Sequence, residues 1–166
     1  AASDVYKRQY DNSVRYTDSL LARLIGMLEN QGTDAALIYT SDHGEDIFDD
    51  HRHLFLHASP VPSYYQLHVP FIVWTSDTYR EKYPEHMDAL QKNRHKSVAS
   101  NRVVFHSVLD LAGVTTTYVN DSLSVASPSY TEFPRFYLND HNEPRSYDDI
   151  GLRKEDFEMF GKMGIR

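Results

Sequence analysis

The stretch Ala35-Ala36-Leu37-Ile38-Tyr39-Thr40 runs directly into Ser41-Asp42-His43-Gly44-Glu45, and its reading decides the fold. A short apolar run bounded by polar residues has the pattern of a strand buried on both faces. Upstream, Val14, Leu20, Leu21, Leu24, Ile25 and Leu28 recur at spacings of three and four. That spacing places them on one face of an amphipathic helix over Asn12 to Leu28, with Asp11 able to cap it and Gly32 placed to end it. A helix feeding a buried strand predicts an α/β fold with a mostly parallel sheet flanked by helices. Asp42 and His43 then fall just past the strand's carboxyl end, where open α/β sheets usually hold their ligands.

Downstream, Val69 to Trp74 reads as a second central strand, with Pro70 near its start where a missing N–H does least damage. Between the strands, Asp46 to His68 is rich in His and Asp and too long for an ordinary connection, which marks it as an active-site loop. A Tyr- and charge-rich segment with Pro84 predicts a surface helix to about Asn93. Asn101 to Ala112 reads as a helix with Val104, Phe105, Val108, Leu109 and Ala112 on its apolar face and Gly113 as its left-handed stop. The Ser-, Thr-, Asn- and Pro-rich composition of 115–150 predicts loops with one short strand at Arg135 to Leu138. A final helix follows over Lys154 to Phe160.

With 166 residues and 40% hydrophobic content, the chain suffices for one domain or a large piece of one. Its 17 basic and 24 acidic residues give a formal charge of -7, which argues against a surface built to attract nucleic-acid phosphates. Zinc–thiolate centres, disulfides and thiol nucleophiles are excluded because the chain has no cysteine. No apolar run approaches the roughly 20 residues of a membrane-spanning helix.

The chemistry-bearing residues gather around the first strand end. A catalytic divalent ion needs carboxylate and imidazole ligands with one open position, and Asp42 and His43 offer both types. Glu45 can orient a ligand from behind. His57 lies 14 residues after His43, behind Leu54-Phe55-Leu56, and a returning loop would bring it to the same place. Other readings remain open: an Asp at a strand end also serves as a turn or helix cap, and His57 reads equally as a buried, hydrogen-bonded histidine. His51 and His53 read as solvated loop residues, His68 and His106 as structural, and Asn139-Asp140-His141-Asn142 as a polar turn.

Taken in order, Tyr10-Asp11-Asn12, the amphipathic helix, the strand ending in Ser41-Asp42-His43-Gly44-Glu45, then Leu56-His57 and Val69-Pro70-Phe71-Ile72-Val73-Trp74 resemble the C-terminal half of the phosphoethanolamine transferases. These modify lipid A and other envelope glycans and belong to the sulfatase-like branch of the alkaline phosphatase superfamily. The resemblance implies a sulfatase-like catalytic domain of which 10–166 is the C-terminal part; residues 1–9, with no initiator Met and no clear pattern, read as a non-native or truncated start. It also implies zinc as cofactor, held by Asp42 and His43. His57 then helps to bind the substrate phosphate or a further zinc and to move a proton.

The nucleophile, a threonine in relatives, and a further acidic ligand are expected upstream of the Tyr-Asp-Asn helix. Group transfer from a phospholipid donor to a glycolipid acceptor is the implied reaction, at the periplasmic face of a bacterial inner membrane. A sulfatase or phosphodiesterase of the same superfamily carries similar ligands, and a non-catalytic binding module is the alternative from another class. The stretch from Glu45 to His57, with its His51-Arg52-His53, is longer than in the best-known members.

Overall fold

The computed structural model describes residues 2–57, 60–139 and 141–165. Its chain order is α1 (Ala2–Asn30), β1 (Ala36–Thr40), β2 (Asp46–Ile47), β3 (Phe55–Leu56), α2 (Tyr64–Leu67), β4 (Phe71–Thr75), α3 (Asp77–Lys82), α4 (Pro84–Asn93), α5 (Ser100–Leu111), β5 (Phe136–Leu138), β6 (Pro144–Ser146) and α6 (Lys154–Lys162). A 3-10 turn at Asp121–Leu123 follows α5. Two compact units partition these elements: 1–20, 41–70 and 134–166 form the first, and 21–40 with 71–133 the second.

In the second unit β1 pairs with β4, Ile38 opposite Val73 and Thr40 opposite Phe71. The pairing is antiparallel, as are β2 with β3 and β5 with β6, so the expected mostly parallel sheet is not found among the described residues. The connectivity explains this: β4 starts opposite the end of β1, whereas a parallel neighbour needs a crossover back to the strand's beginning. Ile38 and Val73, a direct cross-strand pair, pack on the buried cluster of Tyr79, Leu111 and Ala126. Val73 and Leu90 also touch the adjoining cluster of Val103, Val125 and Tyr130, which joins the two into one core. Burial is partial. Leu37 to Thr40 are only half-buried and Ile72 is exposed, which corrects the expectation of a strand buried on both faces.

Caps fix the helices around this ladder. Ser76 Oγ accepts from the Tyr79 N–H at the start of α3 and from the Ala35 N–H, and donates to the Thr33 carbonyl. The single predicted surface helix is therefore two, with Pro84 at the first turn of α4. In α5 the stop at Gly113, with φ of 65°, is as predicted. The buried stripe is not: Val103, Ser107 and Leu111 face inward, while Phe105 and Val108 are exposed. Ser107 can occupy a core position because its hydroxyl accepts from the Val125 N–H at 3.0 Å. A count of apolar residues alone misses such a position.

Helix α1 starts at Ala2, ten residues before the predicted Asn12, so Asp11 lies inside it and caps nothing. Gly32 adopts φ of 62° just past its end. Of the predicted apolar stripe, Val14, Leu20 and Leu24 are exposed, and Leu21, Ile25 and Leu28 are half-buried.

The first unit is organised by the excursion over 41–70, in which β2 and β3 form a short hairpin and α2 a single turn. Phe48 stacks on Phe55 at 5.0 Å and Tyr6 meets Phe55 at 4.9 Å. Ser63 Oγ caps α2 by accepting from the Gln66 N–H. Tyr64 packs edge-on against Phe160 of α6 at 5.1 Å. Asp156 of α6 is buried; it accepts from the Tyr64 N–H at 2.8 Å and from the Arg153 N–H at 3.0 Å. Burial raises the Asp156 pKa, but the Arg52 guanidinium and the two backbone N–H groups outweigh it and hold the carboxyl below the usual range.

Candidate metal centre

Strand β1 ends at Thr40, and the next five residues deliver three candidate ligands. His43 stands between two carboxylates, with Nε2 at 3.8 Å from Asp42 Oδ2 and Nδ1 at 3.9 Å from Glu45 Oε1. Its Nδ1 is also 3.0 Å from the Gly44 carbonyl. A carbonyl only accepts, so Nδ1 carries the proton in that contact and Nε2 keeps its lone pair on the side of Asp42. The exposed Asp42 carboxyl is held below its usual range, chiefly by the backbone N–H groups of Asp42 and His43, and so stays ionised.

The hairpin returns His57 to this place. Its Nδ1 lies 2.8 Å from Glu45 Oε1, and its ring centroid lies 3.9 Å from that of His43. Leu56, immediately before it, adopts a left-handed φ of 61°, a conformation that costs a residue with a branched side chain roughly 1–3 kcal/mol. His43, Glu45 and His57 each present one ligand atom within 4.8 Å of the others. The second carboxylate oxygen of Glu45, Oε2, is buried without a hydrogen-bond partner. A buried anionic oxygen left this way is costly unless a cation meets it. The residues present therefore fit a divalent ion of the kind held by nitrogen and oxygen donors.

Residue by residue, the returning loop brings His57 to His43 as expected. Glu45, read from sequence as a supporting residue, stands in the middle of the group, while Asp42 reaches it only through His43. His51 is exposed, 3.7 Å from Glu155, and His53 is exposed with φ of 51°. His68 bonds the Tyr64 hydroxyl, and His106 accepts from the Asn120 N–H. His141 lies in the β5–β6 turn, bonded to Asn139; Asp140 lies outside the described residues.

The sulfatase family profile matches residues 3–114, and the chain belongs to the sulfatase family. Phosphoethanolamine transferase EptA of Salmonella typhimurium is 32% identical over 123 residues, 72% of this chain and 22% of that protein. The crystal structure of the C-terminal periplasmic domain of EptC from Campylobacter jejuni superposes with a TM-score of 0.62 at 30% identity, over 75% of this chain and 39% of that one. The Escherichia coli EptC periplasmic domain, in a structure determined as a complex with Zn, covers 91% of this chain and 40% of its own, with a TM-score of 0.62 and 23% identity. The chain spans about a fifth of the length of the curated EptA relative it matches.

Proposed function

We propose that this chain is the C-terminal part of a zinc-dependent phosphoethanolamine transferase, and that it carries one portion of the metal site. The observation that carries the reading is the gathering of His43, Glu45 and His57, whose ligand atoms lie within 4.8 Å of one another while Glu45 keeps a second, buried and unpartnered carboxylate oxygen, in a sulfatase-family domain whose relatives are named for that activity. Asp42 and His43 are the proposed zinc ligands, with Glu45 beside them. Zinc, rather than a harder ion, suits an imidazole combined with carboxylates, and the zinc complex of the Escherichia coli relative supports that choice. When bound, such an ion neutralises phosphoryl oxygens and lowers the pKa of a coordinated hydroxyl.

The chain's own residues then orient and bind. A carboxylate only accepts, so His57 donates Nδ1–H to Glu45 Oε1, which fixes the ring and leaves Nε2 as its free basic atom. At Nε2 the half-exposed ring can take a proton from an attacking hydroxyl or, once protonated, hold a phosphoryl oxygen. The whole enzyme would move phosphoethanolamine from a phospholipid to a lipid A or other envelope glycan acceptor. It would work at the periplasmic face of the inner membrane, anchored by a segment outside this sequence; no helix among the described residues is long and apolar enough to cross a membrane.

Zinc content measured on the complete protein that contains this chain, with and without Asp42→Ala or His43→Ala substitution, tests the metal reading. Bound zinc is expected to fall in both variants. Unchanged metal in both would sink it.

A further inference from the structure

Directly after Glu45 the chain turns Asp46 inward. Glu45, just before β2, meets the histidines, while Asp46, the first residue of β2, enters the interior and is 2% exposed. There its Oδ1 accepts from Ser63 Oγ at 2.7 Å, and its Oδ2 accepts from the Gln66 side-chain amide. On the other side of Glu45, the Gly44 N–H donates to the Gln66 carbonyl at 2.8 Å. Both chain neighbours of Glu45 are thus tied to the single turn over 63–66. Each Asp46 oxygen accepts a hydrogen bond on the α2 side, and Asp46 is not among the residues whose ligand atoms gather at His43 and His57.

We propose that Asp46, acting with Ser63 and Gln66, is a positioning residue for the metal centre, an inference that rests on the metal reading above. Its role is to fix the backbone at Glu45 so that Oε1 meets His57 and Oε2 remains open to the ion. His43 and Glu45 sit on one arm of the excursion and His57 on the other, 12 residues beyond Glu45. Without an anchor, each arm could move independently and the three ligand atoms would disperse. Supporting hydrogen bonds of this kind change metal affinity by roughly 10- to 100-fold when removed.

The test is a zinc titration of the full chain, followed by the imidazole nitrogen NMR shifts of His43 and His57, at a temperature where circular dichroism finds every variant folded. Asp46→Ala and the volume-conserving Gln66→Met are expected to bind zinc at least about tenfold more weakly than the unsubstituted chain. In the metal-free protein both should lose the His57 Nδ1 signature of its bond to Glu45. Asp46→Asn, which keeps one acceptor oxygen for Ser63, should recover part of the affinity. Ser107→Ala removes a buried hydrogen bond in the other unit; it should lower Tm and leave zinc affinity and both shifts unchanged.

Folded Asp46→Ala and Gln66→Met proteins with zinc affinity within about twofold of the unsubstituted chain, alongside a His43→Ala protein that binds none, would overturn the positioning role and leave the metal reading standing. An unsubstituted chain that takes up no zinc would overturn both. Should Asp46→Ala not fold, Gln66→Met decides by the same criteria.

Discussion

Gly44→Ala is expected to destabilise the chain by about 3 kcal/mol and to weaken zinc binding more than about tenfold. A Cβ at this position would stand 2.0 Å from the Tyr65 carbonyl oxygen and 3.1 Å from its carbon. Those are backbone atoms of α2, so no side-chain rotation relieves the overlap. The strand end must lift away from the turn, breaking the Gly44 N–H bond to the Gln66 carbonyl and moving both His43 and Glu45. Gly26→Ala is the matched comparison. It lies inside α1 with no atom within 4 Å of the new Cβ, and in a helix interior Ala is favoured over Gly by about 1 kcal/mol. The same substitution should therefore give opposite signs at the two positions. Equilibrium urea unfolding of both variants measures the difference, and equal stabilities would show that the α2 contact does not constrain the loop.

Asp156→Ala should cost about 3–5 kcal/mol, the range for removing one partner of a buried ion pair. The Arg52 and Asp156 side chains are 6% and 0% exposed, with Nη1 and Oδ2 2.8 Å apart. Arg52 keeps Asp50 as a partner, but the Tyr64 and Arg153 N–H groups lose their acceptor. Total stabilities of domains this size are about 5–15 kcal/mol, so the loss is a large fraction of the whole. A double-mutant cycle with Arg52→Met separates the pair from the backbone bonds; if Asp156→Ala costs the same with and without Arg52, the ion pair contributes nothing.

Asp156 also sets an acid limit. Its folded-state pKa lies below the ordinary value of 3.8, so its stabilisation is fully present above 3.8 and is lost as pH falls through the lower, folded-state value. Asp156→Asn should accordingly be less stable than the unsubstituted chain at neutral pH and show a shallower loss on acidification.

These two positions illustrate how differently parts of the site could be read. His57 was legible as a possible return to His43 because a Leu-rich run precedes it in a long loop. Ser63 and Gln66 carried no signal: a serine and a glutamine 17 and 20 residues from Asp46 look like any polar loop. Arg52 carried no signal either: between His51 and His53, which read as solvated, it pairs with Asp156, 104 residues away.

By itself, the sequence determined the local features: the helical spacing of α1, the β1 strand, the Gly113 stop of α5, and Asp42 and His43 at a strand end. Each follows from residue types a few positions apart, because backbone periodicity, caps and turns are short-range. Only the tertiary structure decided that β1 and β4 run antiparallel, that half of the α1 stripe stays exposed, that Ser107 rather than Phe105 enters the core, and that Glu45 meets both His43 and His57. Those outcomes depend on which distant segments meet and on how their buried polar groups are satisfied, and neither is written in local pattern.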